Sequence, residues 1–159
     1  YSHACNIGAK NSTGRYICFL SGHSIPKSDK FFEYGMANFN RHEKLAGVYG
    51  PVLPSQNASW IEIIYYSFGH LQRSAKIITK LKMGILGNTN SLIPKDLWEK
   101  HPFNEKIKNS GEDYHWAKYY LERGFLIIKS PWFAVYHSHG FGLLNFIKQW
   151  LGWKKSLTD

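Results

Sequence analysis

The sequence predicts an α/β domain, a layered sheet covered by helices, and three observations lead to this class. The chain has 159 residues, 43% apolar and 16% aromatic, which suits one domain with a sizeable core. Short apolar runs typical of strands alternate with longer segments of helical spacing. The sequence shows no internal repeat and no low-complexity linker, so we expect these segments to pack around one sheet.

Strands are predicted where short apolar runs are bounded by glycine, proline or small polar residues. These runs span residues 15–20, 45–53, 88–93, 125–128 and 133–136. Pro51 and Pro54 bound the end of the second run, which indicates an edge strand or a strand end, because proline donates no ladder hydrogen bond.

Helices are predicted from capping residues and from apolar residues at helical spacing. They span residues 1–13, 28–41, 57–71, 95–100, 112–123 and 143–153. Residues 60–66 also fit a strand, and we prefer a helix because the apolar run continues to Leu71. Residues 70–82 are rich in basic side chains and are expected to form a mobile segment. The last helix is amphipathic.

A small polar loop, Ser21-Gly22-His23, follows the first predicted strand. Groups at the end of a strand are well placed to contact a ligand. His23 has two interpretations, a ligand of a metal or phosphate, or an ordinary neutral loop histidine.

An acidic pair, Glu112-Asp113, stands at the start of the clearest predicted helix. One interpretation makes Asp113 a general base that removes a proton from a hydroxyl group. The other makes it a capping group, because Ser110-Gly111-Glu112-Asp113 has the spacing of a capping box and acids favour a helix N-terminus.

Two histidines, His137 and His139, lie two positions apart at the end of a predicted strand. In extended backbone both imidazoles face the same side, as a metal or diphosphate site requires. The alternative is a turn in which one ring packs and the other is solvated.

Taken in order, five segments resemble those of the family 2 glycosyltransferases, inverting enzymes of the GT-A fold that use nucleotide sugars. The segments are Ala4-Cys5-Asn6-Ile7-Gly8, the strand and loop over 15–26, Gly87-Asn88-Thr89-Asn90-Ser91, Glu112-Asp113, and Tyr136-His137-Ser138-His139-Gly140. The resemblance implies the GT-A fold, a Rossmann-like α/β fold of nucleotide-diphospho-sugar transferases with a mixed sheet flanked by helices. It implies a partial GT-A catalytic domain over 1–142, apparently lacking the family's first strands, and a C-terminal amphipathic helix over 143–159.

The resemblance also implies an activity, the transfer of a sugar from a nucleoside diphosphate to a hydroxyl acceptor with inversion, in surface polysaccharide assembly. Asp113 corresponds to the catalytic base. His23, His137 and His139 are implied to hold a divalent metal, Mn²⁺ or Mg²⁺, or the donor diphosphate. Ser21-Gly22-His23 stands where the family carries an acidic DxD motif, which puts the usual metal dependence in question.

The resemblance implies that several residues in or near these segments bind the donor or the acceptor. They are Ser21, Gly22, His23, Asn88, Asn90, Glu112 and Trp116. The two asparagines equally fit an Asx turn feeding a strand, and the tryptophan equally fits the core. A non-catalytic carbohydrate- or nucleotide-binding module of the same fold is the alternative function.

The composition predicts anionic partners, since the formal net charge is +9 and the pI is about 9.5. We expect a nucleoside-diphosphate sugar donor, a saccharide or lipid-linked acceptor, and an anionic membrane surface. We expect no nucleic acid, because the Lys and Arg residues are dispersed and no nucleic-acid motif occurs. Cys5 and Cys18 lack CxxC spacing, and no long apolar run or signal peptide is present. We therefore expect a cytoplasmic protein, peripheral at the inner face of the cell membrane.

Overall fold

The computed structural model of the chain describes residues 1–107 and 111–156. Its strands are β1 Tyr16–Leu20, β2 Ile25–Pro26, β3 Leu45–Tyr49, β4 Val52–Leu53, β5 Lys76–Ile78, β6 Asn90–Pro94, β7 Leu126–Lys129 and β8 Val135–Tyr136. Its helices are α1 Ser2–Asn11, α2 Phe31–Met36, α3 Trp60–Ser67, α4 Lys95–Lys100, α5 Glu112–Leu121 and α6 Leu143–Ser156, and a 3₁₀ helix spans Phe68–Leu71.

Five strands form a mixed sheet in the order β1-β6-β3-β7-β5. The pair β3 and β7 is parallel, and the other three pairs are antiparallel. All five residues of β3 are buried, as expected for a central strand covered on both faces. The prediction of a mixed α/β sheet flanked by helices is confirmed.

Two hydrophobic clusters cover the two faces of this sheet. Alternation along β1 sends Ile17 and Phe19 to one cluster and Tyr16 and Cys18 to the other. The first cluster also holds residues of α1, α4 and α5, and the second holds Phe31 of α2. Both core faces therefore depend on helix packing.

A second sheet, β2-β8-β4, continues from the end of the first. Each of its strands follows a strand of the large sheet along the chain: β2 follows β1, β4 follows β3, and β8 follows β7. The small sheet therefore extends the same end of the domain, and the loops before and after its strands gather there.

The single strand predicted over 45–53 is wrong, because the chain changes sheets inside it. An ideal Cβ at Gly50 would lie 1.5 Å from the carbonyl oxygen of Phe133, so only glycine allows this close backbone approach. Pro51 follows and keeps the two strands separate. The strand β3 is central in its sheet and ends before Pro51, as the strand-end interpretation predicts, and β4, between Pro51 and Pro54, lies at the edge of the small sheet.

Other segments differ in extent from the prediction. The helix expected over 28–41 is α-helical over six residues only, and Ser28 accepts a hydrogen bond from the backbone N–H of Lys30 before it begins. The segment 70–82, expected to be mobile, contains the edge strand β5. The helix preferred over 57–71 is confirmed as α3 and the 3₁₀ turn.

The helix α3 is anchored by a capping box, in which Ser59 and Glu62 satisfy each other's backbone N–H groups. The helix α5 begins after Gly111, whose φ of 107° is left-handed. Ser110, part of the predicted capping box, lies outside the described residues. Within residues 1–107 and 111–156, no helix has the length and apolarity needed to cross a membrane.

Candidate functional site

The candidate residues gather at one end of the five-stranded sheet. Register places Leu20 beside Asn90, and Tyr49 beside both Ser91 and Lys129, so these positions share that end. The loop after β1, the turn before β6 and the start of α5 all lie there, as their hydrogen bonds show. The topology thus brings together residues that are far apart in the sequence.

Asp113 is fixed by two backbone N–H groups. Its Oδ2 atom accepts a hydrogen bond of 3.0 Å from Asn88, and its Oδ1 atom accepts one of 2.7 Å from Tyr114. The neighbouring Glu112 accepts a bond of 3.0 Å from the side-chain amide of Asn88, whose oxygen accepts one of 2.9 Å from Ser91. The turn before β6 therefore holds both carboxylates at the start of α5.

The carboxyl group of Asp113 has a pKa raised to about 7. Burial is the larger cause, and the nearby charge of Glu112 adds to it, while the bonds from Asn88 and Tyr114 oppose it. Asp113 is half-buried and Glu112 is 2% exposed. Two adjacent carboxylates in a site with little water compete for ionisation, which raises the proton affinity of Asp113.

The Glu112 carboxylate also faces α1. Burial raises the pKa of the Cys5 thiol, and the charge of Glu112 raises it further. One oxygen of Glu112, Oε2, is buried and has no hydrogen-bond partner among the described residues. The buried Glu112 carboxylate therefore lies close to Cys5 of α1.

The loop of Ser21, Gly22 and His23 is tied to the same turn. The backbone N–H of Ser21 donates to the carbonyl of Thr89 at 3.2 Å, and the hydroxyl of Ser24 donates to that carbonyl at 3.2 Å. Thr89 directly follows Asn88 in the sequence. These bonds link the Asp113 side of the site to the loop that carries His23.

Three histidines form a cluster beside this loop. The rings of His23 and His137 stack with centroids 4.3 Å apart, and His139 lies 4.9 Å from His23 and 4.8 Å from His137. One nitrogen of each ring lies within 4.8 Å of the other two. Both histidines follow the end of β8 at Tyr136, with His137 buried and His139 exposed, which matches the predicted alternative of a turn in which one ring packs and the other is solvated. Their rings still approach each other, and antiparallel pairing of β2 with β8 brings the loop with His23 to them.

The imidazole of His137 is 6% exposed, and its Nδ1 atom has no hydrogen-bond partner among the described residues. Burial lowers the pKa of His137 to about 4, with further lowering by His23 and His139. Burial and then His23 also lower the pKa of His139. Burial and mutual repulsion therefore favour the neutral form of His137 and His139, the form in which histidine donates a lone pair.

Glu62 holds the turn that carries His139, a role the sequence analysis missed. Its Oε1 accepts a hydrogen bond of 2.8 Å from the N–H of His139, and its Oε2 accepts bonds from Gly140 at 3.0 Å and Ser59 at 2.9 Å. Burial alone would raise the pKa of Glu62, but these bonds outweigh it and lower the pKa. The S-x-x-E pattern at 59–62 was the available signal.

Two of the predicted binding residues serve the core. The indole of Trp116 is 1% exposed, donates to the carbonyl of His101 at 2.7 Å and packs against Tyr120, which agrees with its core interpretation. Asn90, also 1% exposed, donates to the carbonyl of Phe133 at 2.7 Å. The indole faces and the Asn90 amide are therefore engaged within the protein.

Neither models of known protein families nor the curated proteins give a match to this chain. What the site can do therefore follows from its own chemistry. It combines a carboxyl group whose pKa is raised by burial and a neighbouring acid, a cluster of three histidines and a small polar loop at one sheet end.

Proposed function

We propose that this chain is a GT-A-type glycosyltransferase of family 2, acting from a nucleoside-diphosphate sugar on a hydroxyl acceptor with inversion, in surface polysaccharide assembly. The observation that carries the proposal is the position of Asp113, a half-buried carboxyl group held by two backbone N–H groups at the start of α5. Burial and the charge of Glu112 raise the pKa of this group to about 7. A general base works best when its pKa lies near the working pH.

In this mechanism the ionised Asp113 takes the proton of the acceptor hydroxyl while that oxygen attacks the anomeric carbon. The new C–O bond forms as the bond to the nucleoside diphosphate breaks on the opposite face, so the configuration inverts. Each oxygen of Asp113 accepts one backbone N–H bond, and a carboxylate oxygen can accept a second partner. The bonds from Asn88 and Tyr114 thus orient the base and leave each oxygen able to accept a further hydrogen bond.

The leaving diphosphate gains negative charge and needs a counter-charge. His23, His137 and His139 are the proposed partners, either as ring N–H donors to the phosphate oxygens or as ligands of a metal ion that would supply the positive charge. Three imidazole nitrogens suit a transition ion such as Mn²⁺ better than Mg²⁺, which prefers oxygen. One nitrogen of each ring would hold such an ion, and these three nitrogens lie within 4.8 Å of one another.

The test of catalysis is sugar transfer by Asp113→Asn, which keeps the shape of the side chain and cannot accept the proton. We expect a loss of about 10²- to 10⁴-fold with an unchanged melting temperature. Asp96→Asn, an acid in the first turn of α4, is the matched control and should retain full activity. Full activity of Asp113→Asn would limit this residue to helix capping and refute the proposed base.

The donor side is tested separately by titrating UDP and other nucleoside diphosphates by calorimetry into the wild type, His137→Ala and His139→Ala. We expect at least one variant to bind more weakly by about tenfold, the size typical of lost contacts around a ligand-bearing site. Repeating the titration with Mn²⁺, Mg²⁺ or a chelator separates direct contact from metal bridging. Equal affinity in all three proteins would place the cluster outside the donor site.

A second candidate function is a non-catalytic carbohydrate- or nucleotide-binding module of the same fold. Two observations favour it: the Ser21-Gly22-His23 loop has no carboxylate, and both Asp113 oxygens already accept bonds from the chain. This candidate predicts nucleotide or saccharide binding without turnover, and Asp113→Asn would then leave binding unchanged.

A further inference from the structure

Two helices at the surface pack on each other and leave apolar side chains outside. The rings of Tyr65 on α3 and Phe146 on α6 meet at 5.2 Å, and Phe146 is 7% exposed. Phe146 is therefore buried at this contact, while Tyr65 stays partly exposed. We call the exposed faces of the two helices together the α3–α6 surface.

The α3 part of this surface is a stripe of large apolar side chains at helical spacing. It comprises Trp60, Ile63, Ile64, Phe68 and Leu71, and all five are more than 45% exposed. Phe68 and Leu71, on the 3₁₀ turn, are 69% and 72% exposed. A continuous exposed stripe of this kind is unusual for a surface that faces only water.

The α6 part repeats the pattern. Leu144, Ile147 and Leu151, spaced by three and four positions, are 74%, 43% and 54% exposed. Lys148 and Lys154 lie exposed on the same helix, and α6 contains no acidic residue. This helix therefore combines an exposed apolar face with positive charge only, as membrane-surface helices do.

Acidic residues are absent from the two chain segments that contain most of this surface. No Asp or Glu occurs over 63–95 or over 123–158, although the chain has 11 in all. The same two segments carry ten of the 20 Lys and Arg residues, of which Lys95 and Arg123 lie at the other end of the large sheet. The remaining eight are Arg73, Lys76, Lys80, Lys82, Lys129, Lys148, Lys154 and Lys155. The adjacent carboxylate of Glu62 is buried and bonded inside the protein.

Three of these lysines converge beside the 3₁₀ turn. Lys76 faces Lys129 across the β5–β7 pair, and the side chain of Gln72 donates to the carbonyl of Lys129 at 2.8 Å. Burial lowers the pKa of Lys129, and the charges of Lys82 and Lys76 lower it further. No acid forms an ion pair with these three lysines among the described residues. An anionic partner would relieve this repulsion.

We propose that the α3–α6 surface docks on an anionic lipid bilayer. The apolar stripes enter the boundary between headgroups and acyl chains, and the surrounding Lys and Arg side chains contact lipid phosphates. A second copy of the chain fits less well, because it would bring two acid-free basic surfaces together. Nucleic acid fits less well, because eight exposed large apolar side chains offer it no complementary contact. The proposal is independent of the glycosyl transfer proposed above.

The test is flotation of the full chain with vesicles of phosphatidylcholine alone and with vesicles containing phosphatidylglycerol. We expect binding to the anionic vesicles, with little binding to the neutral ones. Binding should weaken as salt rises from about 0.1 M to about 1 M, because the screening length falls from about 10 Å to about 3 Å. Equal binding to both kinds of vesicle, or none to either, overturns the proposal.

Paired variants distinguish binding through the α3–α6 surface from nonspecific adsorption to vesicles. Ile64→Ser with Leu144→Ser removes exposed methyl groups from both stripes and should weaken binding about tenfold or more. The control is Ile25→Ser, whose side chain is 62% exposed on β2, at the opposite edge of the small sheet from β4. It should leave binding unchanged.

A second, independent test removes positive charge from the α3–α6 surface. Lys148→Gln and Lys154→Gln should each weaken binding about fivefold, the share of one cation near an anionic surface. Lys27→Gln with Lys30→Gln, exposed on another part of the chain, is the matched control. Controls that weaken binding as much as the surface variants would overturn the proposal. So would self-association of the wild type in centrifugation that the Ile64→Ser and Leu144→Ser pair abolishes, since that assigns the surface to a second copy.

Discussion

The carboxylate of Glu62 accepts a hydrogen bond of 2.8 Å from the backbone N–H of His139, across 77 positions of sequence. With the bonds from Gly140 and Ser59, this buried carboxylate joins the N-terminus of α3 to the turn that carries two of the three clustered histidines. The local cap of one helix therefore also positions a site residue of a distant strand end.

Glu62→Gln should loosen this turn. The amide places an N–H₂ group where an oxygen now accepts backbone N–H bonds, so at least one buried donor loses its partner. We expect a loss of about 2–3 kcal/mol in the free energy of unfolding, as for a buried bond to a charged group. Urea unfolding measures it, and the histidine ring signals in NMR report the turn.

The matched control is Glu99→Gln, an exposed acid on α4, which should change stability by less than about 0.5 kcal/mol. Equal stability of Glu62→Gln and wild type, with unshifted His139 signals, would show that the carboxylate does not organise the turn.

Acid should destabilise the protein through His137. Its pKa is about 4 in the folded chain and about 6.5 in an unfolded one, so the unfolded state binds the extra proton between these values. The contribution of His137 to the free energy of unfolding is therefore complete above about pH 6.5. It falls by roughly 3 kcal/mol in total as the pH drops toward 4.

Urea midpoints measured across pH 4 to 7, with a chelator present, test this relation. His137→Leu should give a flatter profile over that window, because it removes the titrating ring and keeps an apolar side chain of similar volume. His70→Leu, at an exposed position, should keep the wild-type slope. A wild-type slope in His137→Leu would assign the acid sensitivity to other groups.

The fold class was predictable because its signals are local. Apolar runs, Pro94 before α4 and Gly124 after α5 mark element ends from neighbouring residues alone, and the structure has elements at each of them. The break between β3 and β4 was not predictable in the same way. Residues 45–53 read as one apolar run, and what divides them is the backbone of Phe133, a contact made only in the folded chain.

The candidate site likewise has parts that the local sequence predicts and parts that depend on distant contacts. The start of α5 at Glu112 follows from its acidic first turn, whereas His137 and His139 lie beyond the end of β8, so the two-residue period of a strand does not account for their approach. His23 lies beside the other two histidines because β2 pairs with β8, and neighbouring residues alone do not predict this pairing. The capping box at Glu62 was visible, but its second set of partners lies on the distant turn.

Gly50→Ala should be among the most damaging small substitutions in the chain. A Cβ there would overlap the Phe133 carbonyl and lie 2.9 Å from the side-chain nitrogen of Asn90, and neither group can withdraw without losing its own bonds. We expect a loss of about 3 kcal/mol, the upper range for overpacking, or failure to fold.

Gly8→Ala provides the same chemical change without the clash. Gly8 lies within α1 and has no atom within 4 Å of an ideal Cβ, so alanine should be neutral or stabilise the helix by up to about 1 kcal/mol. Thermal unfolding compares the two variants. Similar melting temperatures for both would mean that the β3–β4 crossover tolerates a side chain.

The ionisation of Asp113 should set the pH dependence of the proposed sugar transfer. Burial and the charge of Glu112 raise its pKa to about 7, so the ionised base should appear as the pH rises through that value. The rate kcat/KM of sugar transfer should increase in the same window and then level off. Carbon-detected NMR of the Asp113 carboxyl group follows the same titration without any substrate.

Glu112→Gln removes the neighbouring charge and keeps an oxygen for the Asn88 amide, so the Asp113 titration should move to lower pH. A downward shift of about one unit would make the variant about fivefold more ionised than the wild type at pH 6. Glu99→Gln, an exposed acid on α4, should leave the midpoint in place. If the rate profile moves with the NMR titration, the base is Asp113. If the carboxyl signal shifts while the rate profile does not, the proton is taken by another group and Asp113 acts only through its hydrogen bonds at the start of α5.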